Sequence, residues 1–163
     1  MKIKEIMQHI KGRGLPCVPA NSNISEVIRV AVSFPHTRLV YVIDEQNKLL
    51  GVITIGSLMR YLYYYHYRDK IHPRDILRNI NVEKASQLMS CGNISALPDE
   101  AVDAVLKRMA DTGAKEMAVV DSDGRILADI TAVDILKYYE LQGLKTTEQF
   151  AHRNSVRNSP CGN

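Results

Sequence analysis

RLVYVIDEQNKLLGVITIGSLMRYL, running from Arg38 to Leu62, and KEMAVVDSDGRILADITAVDILKYY, running from Lys115 to Tyr139, decide the fold of this 163-residue chain. At an offset of 77 residues the two stretches align without a gap. Asp44 falls on Asp121, Leu50 on Leu127, Thr54 on Thr131 and Tyr61 on Tyr138. Identities are few, but the apolar positions coincide almost throughout. Self-similarity at a fixed spacing marks a duplicated structural unit. Two copies are too few for a solenoid, so each unit is expected to pack against its twin.

Outward from these stretches, each copy reads alike. An apolar run (Leu39 to Ile43; Met117 to Val120) leads into a polar turn, DEQNK or DSDGR, and a second apolar run follows (Leu49 to Ile53; Ile126 to Ile130). That is the pattern of a β-hairpin. Before the hairpin, Ile24, Val27, Ile28, Ala31 and Val32 recur at helical spacing, as do Val102, Val105, Leu106 and Met109. Asp99 or Pro98 is placed to open the second of these helices. A short strand near Cys17-Val18 or Ile94-Ser95 precedes each helix, and a last helix starts near Thr54 or Thr131. The unit is therefore β-α-β-β-α, and the fold class is α+β. The boundaries expected are 1–72 for the first unit with a helix extended through Tyr61 to Tyr65, 73–145 for the second, and 146–163 for a polar, disordered tail. His72-Pro73 is expected to break the extended helix, because proline disfavours the helical conformation in the residue before it.

Composition narrows the function classes. A formal net charge of +3 with scattered Lys and Arg lacks the concentrated basic stripe of a nucleic-acid face. No apolar run is long enough to span a bilayer, and the first residues lack the apolar core of a secretion signal. Cys17, Cys91 and Cys161 are odd in number and far apart, which suits neither a disulfide framework nor a zinc site. Cytoplasm is the location expected.

The local feature richest in chemistry is Thr131-Ala132-Val133-Asp134, where a strand feeds a helix directly. One reading is a capping box, with threonine at the N-cap and an acid three residues on. The same geometry offers free backbone N–H groups and a positive dipole end to a phosphate. The Asp134 carboxylate could also accept hydrogen bonds from a ribose diol. The two readings are compatible.

The stretches Gly51 to Leu62 and Leu127 to Tyr139 resemble the closing signature of cystathionine-β-synthase-type (CBS) domains: a small residue, an apolar strand, Thr or Ser, two variable residues, Asp and an apolar helix. The openings KEIMQ and SQLMS, and LPDEAVDAVLKRM ahead of the second unit's first helix, resemble the family too. The likeness covers residues 1–145. It implies a stand-alone pair of CBS units packed about a pseudo-two-fold axis, with two clefts between them. Each cleft would take Thr and Asp from one unit and base contacts from the other.

Carried over residue by residue, the main cleft would combine Thr131 and Asp134, with Ala132 and Val133 as backbone and apolar contacts. Facing them would be Ser22, Asn23, Thr37 and Arg38, the arginine as a fork for phosphate. The second cleft would set Thr54 and Ser57 against Asp99, Glu100, Lys115 and Glu116. Ser57 stands where the family has aspartate, and a neutral hydroxyl is a weaker partner for a diol. Glu116 would repel phosphate unless Lys115 offsets it. One competent and one weak site are therefore expected. Asp129 adds a carboxylate on the last strand, pointing either to solvent or into the cleft.

The resemblance implies a regulatory sensor of an adenine nucleotide (AMP, ADP or ATP), with S-adenosylmethionine or a cyclic dinucleotide as alternatives. It also implies a homodimer and an effector protein that receives the signal. A ligand-free scaffold for dimerisation and docking is the rival reading. No metal, resident cofactor or catalytic group is expected. Asp121-Ser122-Asp123-Gly124 lacks the glutamate that closes a calcium loop, the histidines have no ligand spacing, and neither a nucleophile elbow nor a phosphate loop occurs. His36 lies near the expected cleft. The Tyr61 to Tyr67 run reads as a helix face at a subunit contact, with base stacking beside Arg60, Arg68, Lys70 and Arg74 as a weaker alternative.

Overall fold

The computed structural model describes residues 2–67, 82–92 and 95–141. The expected break at His72-Pro73, the residues Arg68, Lys70 and Arg74, the strand start at Ile94 and the tail from 146 lie outside them.

The first half runs α1 (Ile3–His9), β1 (Cys17–Pro19), α2 (Ile24–Ser33), β2 (Leu39–Ile43), β3 (Leu49–Thr54) and α3 (Ile55–Tyr67). The second runs α4 (Ala85–Leu88), β4 (Ser95–Ala96), α5 (Val102–Thr112), β5 (Glu116–Val120), β6 (Ile126–Thr131) and α6 (Ala132–Leu141). Each half forms a three-stranded sheet in sequence order, its first pair parallel and its hairpin antiparallel. The expected βαββα order holds in both halves. The openings KEIMQ and SQLMS add a short leading helix to each, which periodicity over so few residues could not announce.

The elements form where spacing and capping agree. In α2 the buried Ile24 and Val27 face the sheet. Its start is closed by a capping box in which Asn23 Oδ1 accepts from the Glu26 amide at 2.9 Å and the Glu26 carboxylate accepts from the Asn23 amide at 3.1 Å. The α5 helix buries Val102, Val105 and Met109 one turn apart. Its N-cap is Ala101, without a side-chain cap, so neither Asp99 nor Pro98 opens it as expected. The hairpin turns repeat one device: Asp44 Oδ1 accepts from the Gln46 and Lys48 amides, and Asp121 Oδ1 from those of Asp123 and Arg125. DSDGR is thus an aspartate-closed turn.

The halves pack across an approximate two-fold. Leu49 N donates to Gly124 O and Ile126 N to Asn47 O, both at 3.0 Å, and the repeat offset exchanges these two bonds. Between the sheets lies a shared layer of Tyr41, Ala118 and Val120, flanked by Leu49, Val52 and Ile126. The leading helices cross over. Ile3 and Ile6 of α1 join the core of the second half, with Val102, Met117 and Ile130. Ala85 and Leu88 of α4 join the core of the first half, with Val27, Val40 and Ile53. Backbone bonds fix the exchange: Ile3 N to Glu100 O, and Ala85 N to Ser22 O.

Candidate functional site

Two clefts open between the halves, on either side of a wall built by Thr37, Arg38, Lys115 and Glu116. The first encloses about 790 Å³ and the second about 750 Å³. The antiparallel registers place the wall: Leu39 pairs with Thr54 and Glu116 with Thr131, so the residue entering each hairpin sits beside the helix start that leaves it. Ile55 N donates to Arg38 O at 3.0 Å, and Ala132 N to Lys115 O at 2.9 Å, which locks each helix start to that wall.

Thr131, Ala132, Val133 and Asp134 line the first cleft, together with Thr37 and Arg38. Six of the eight residues expected at the main cleft thus come together. Ser22 and Asn23 do not. Asn23 is used to cap α2, and the Ser22 carbonyl receives the Ala85 amide under the crossed helix α4. They sit at the far end of α2, where the helix start needs them.

At the start of α6 the capping box is formed. Thr131 Oγ1 accepts from the Asp134 amide at 3.2 Å and donates to Asp134 Oδ2 at 2.8 Å, while the Thr131 amide donates to the same oxygen at 2.9 Å. A further partner was not foreseen. The Arg13 guanidinium grips the Asp134 carboxylate with both nitrogens, Nη1 to Oδ2 and Nη2 to Oδ1, each at 2.7 Å. Such a fork is the strongest geometry available to this pair. Burial pushes the Asp134 carboxyl upward, but the Arg13 bonds and then those from Thr131 outweigh it and hold it below the ordinary aspartate value. Arg13 is carried by the loop between α1 and β1. In that loop Gly14 rests against the Phe34 ring, where a Cβ would come within 2.9 Å of it.

Asp129 settles the question that strand alternation left open. It faces inward: only 4% of its surface is exposed, and it lines the first cleft two residues before Thr131 on the same face of β6. Its Oδ1 is buried without a hydrogen-bond partner, 3.9 Å from Arg13 Nη1. Burial raises its carboxyl above the ordinary value; Arg13 opposes this, and Glu116 and Asp134 reinforce it. Behind it the Tyr41 hydroxyl is likewise buried and unpartnered, held upward by burial and then by Asp129. Cys17, pushed up to about 11 by burial and by Asp129, is no ready nucleophile.

Glu116 behaves differently from expectation. It is buried, and its carboxylate accepts from the Arg38 amide at 2.8 and 2.9 Å and from the Thr37 hydroxyl at 2.8 Å. Its charge is therefore spent on the wall. Among the described residues, the side chains of Arg38, Lys115 and Lys137 line the first cleft with no ion-pair partner, and His36 lies beside them. The cleft thus combines carboxylates tied down by Arg13 with uncommitted cations: Lys137 on the same helix as Asp134, and Arg38 and Lys115 on the wall.

Thr54 and Lys115 line the second cleft, with Glu116 between the two. Ser57, expected here, is not among the lining residues: its hydroxyl meets the Thr54 hydroxyl at 3.0 Å and Arg60 Nη2 at 3.2 Å, and its amide donates to Thr54 Oγ1 at 3.0 Å. Asp99 is elsewhere: it pairs with Lys2 and Lys4 at 3.0 and 2.9 Å, on the surface beside the crossed α1. Glu100, whose carbonyl receives Ile3, is held by Arg108 at 2.7 Å. Where Asp129 and Ala128 stand in one half, the other has Val52 and Gly51. The chain after α4 lies on that strand, with Val52 N to Ser90 O at 3.1 Å and Ser90 N to Val52 O at 2.9 Å. A Cβ on Gly51 would come within 2.7 Å of the Ser90 carbonyl, so glycine is required there.

The sequence pattern of the CBS domain matches residues 3–64 and 85–141, one match per half. The chain belongs to the CBS-domain family. A CBS domain-containing protein of Thermotoga maritima is similar over 90% of this chain and 98% of its own, with 27% identity and a TM-score of 0.72. The CBS domain pair of protein MJ0100, solved with 5′-methylthioadenosine and S-adenosyl-L-methionine, covers 87% of this chain and 98% of its own at 21% identity and TM-score 0.65. CBSX2, solved with AMP, covers 86% and 96% at 15% identity and TM-score 0.67. The last two show the fold alone. Among curated proteins, homoserine O-acetyltransferase of Methanococcus vannielii is 25% identical over 132 residues, 81% of this chain. The chain spans about a quarter of that relative's length, 24%. Among the described residues, no helix of this CBS pair is long and apolar enough to cross a membrane, and no cluster of His, Cys, Asp or Glu could hold a metal ion.

Proposed function

We propose that the protein is a regulatory CBS pair that senses an adenine nucleotide in the cleft of Thr131 and Asp134 and catalyses nothing itself. The observation that carries this reading is the polarity of that cleft. A helix start with a threonine and a carboxylate suits a ribose and its phosphate link. The uncommitted Arg38, Lys115 and Lys137 lining the same cleft suit the remaining phosphate charge. CBS pairs solved with AMP, and with S-adenosyl-L-methionine and 5′-methylthioadenosine, support the adenosine moiety as the common element. The second cleft, with Ser57 in the aspartate position, is the weak or silent one.

Signalling would follow from differential affinity for two packings of the halves. Met59 of α3 and Leu136 of α6, exposed and equivalent under the repeat, together with the exposed Tyr63 and Val133, offer a homodimer contact. A cytoplasmic setting and a separate effector protein complete the proposal. Calorimetric titration with AMP, ADP, ATP, S-adenosylmethionine and a cyclic dinucleotide tests it: one site per chain is expected for at least one adenosine ligand. Silence toward all of them, with the dimer intact, would favour the scaffold reading. The saturation of Asp134 by Arg13 is the observation on that side.

A further inference from the structure

Resting on the nucleotide reading, we propose that Arg13 is a two-seat latch on the cleft: it holds Asp134 in the arrangement seen here and moves onto Asp129 when a ribose claims Asp134. The residues for both seats are in place. In the first, the guanidinium makes two bonds of 2.7 Å to Asp134 and thereby occupies both carboxylate oxygens that a diol would use. In the second, Asp129 Oδ1 lies 3.9 Å from Arg13 Nη1, buried and without a hydrogen-bond partner. A shift on the order of 1 Å brings that nitrogen within ordinary bonding distance.

Electrostatics favours exchange over departure. Asp134, Asp129 and Glu116 converge on this region, and Arg13 is the guanidinium placed among them; Tyr41 and Cys17 behind Asp129 supply no charge to offset it. Stripping Arg13 from Asp134 into water would leave two carboxylates without a cation, an expensive state for groups so deeply buried. Transfer to Asp129 keeps one ion pair throughout and satisfies an orphan oxygen as it forms. Ligand affinity is then set by the difference between the two seats. Among the described residues, the sister cleft has none of these parts. Ser57 replaces Asp134, Val52 replaces Asp129, and the segment after α4, Met89 to Ile94 (MSCGNI), has no basic residue.

Calorimetry with adenosine, which has no phosphate for Arg13 to grip, and with AMP on wild type, Arg13→Gln, Asp129→Asn and the double variant tests the latch. Asp129→Asn should weaken adenosine about tenfold by removing the second seat. Arg13→Gln should bind adenosine at least as tightly as wild type, and in that background Asp129→Asn should have no further effect. A penalty from Asp129→Asn that survives without Arg13 would mean that Asp129 touches the ligand, and the latch is wrong. A loss of adenosine binding in Arg13→Gln would likewise overturn it. If wild type binds neither adenosine nor AMP, the nucleotide reading fails, and the latch is judged by a crystal structure of Asp134→Ala grown without nucleotide. Arg13 hydrogen-bonded to Asp129 there supports the second seat; Arg13 turned to solvent refutes it.

Discussion

The two clefts share a wall, a fold and nearly the same volume, yet they are built from opposite chemistry. In the first, a carboxylate at the helix start, an arginine from the loop between α1 and β1 and a buried aspartate on β6 form one charged unit. In the second, serine, a backbone pairing at Ser90 and valine fill the corresponding places. The repeat preserves the scaffold while one copy keeps the polar group and the other lets main chain close the gap. A buried charge is costly unless a partner is at hand, and in the first cleft one arginine faces two carboxylates.

Replacing Asp134 should break the comparison most sharply. Asp134→Ala removes the ribose acceptor, the partner of Arg13 and half of the capping box. Nucleotide-induced stabilisation measured by thermal shift should vanish, and the protein itself should lose about 2 kcal/mol, scaled down because Arg13 is partly exposed. An undiminished nucleotide response would show that the first cleft is not the binding site. Next in size is Gly51→Ala, which drives a methyl group against the Ser90 carbonyl and should cost about 1–3 kcal/mol in denaturant unfolding. The opposite change in the other half, Ala128→Gly, should cost less than about 1 kcal/mol, as no segment among the described residues pairs with Asp129 the way Ser90 pairs with Val52.

Asp129→Asn should give a smaller effect of opposite sign. The folded state holds this carboxyl above its ordinary value, so ionising it opposes folding. Wild type therefore keeps full stability from this group below about 3.8 and loses it as pH rises through the elevated folded value. The variant should be more stable than wild type at pH 7 by about 1 kcal/mol, and the gain should fade as pH falls through the elevated folded value and be gone below about 3.8, followed by thermal unfolding across pH. Smallest of all, Ser57→Ala should shift stability by no more than about 0.5 kcal/mol and leave the nucleotide response in place.

Much of the fold was legible because the repeat carries its own control. The strands at Leu39–Ile43 and Ile126–Thr131 emerge from alternation and turn chemistry that operate over a few residues. The Thr131–Asp134 box is equally local. What escaped depends on distant contacts. The exchange of α1 and α4 between halves pairs Ile3 with Glu100, and no periodicity within seven residues of α1 encodes that. The same exchange explains the displacement of Ser22, Asn23 and Asp99 from the clefts, for it turns these helix starts into docking points. Arg13 left one faint signal: a cation between Gly12 and Gly14 just ahead of the first strand. Asp129 left a clearer one, since its parity with Thr131 places both on one face of β6.

The crossing of the leading helices has a consequence for biosynthesis. Ile3 and Ile6 are translated ahead of the rest of the first repeat, but their seat includes Met117, Ile130 and Tyr138, which are made near the end of the second repeat. The N-terminal half thus emerges with its own greasy helix unhoused and, until Ala85 and Leu88 arrive, with its core uncovered at one edge. Completion of the second repeat, rather than of the first, is the moment at which both surfaces can be sequestered.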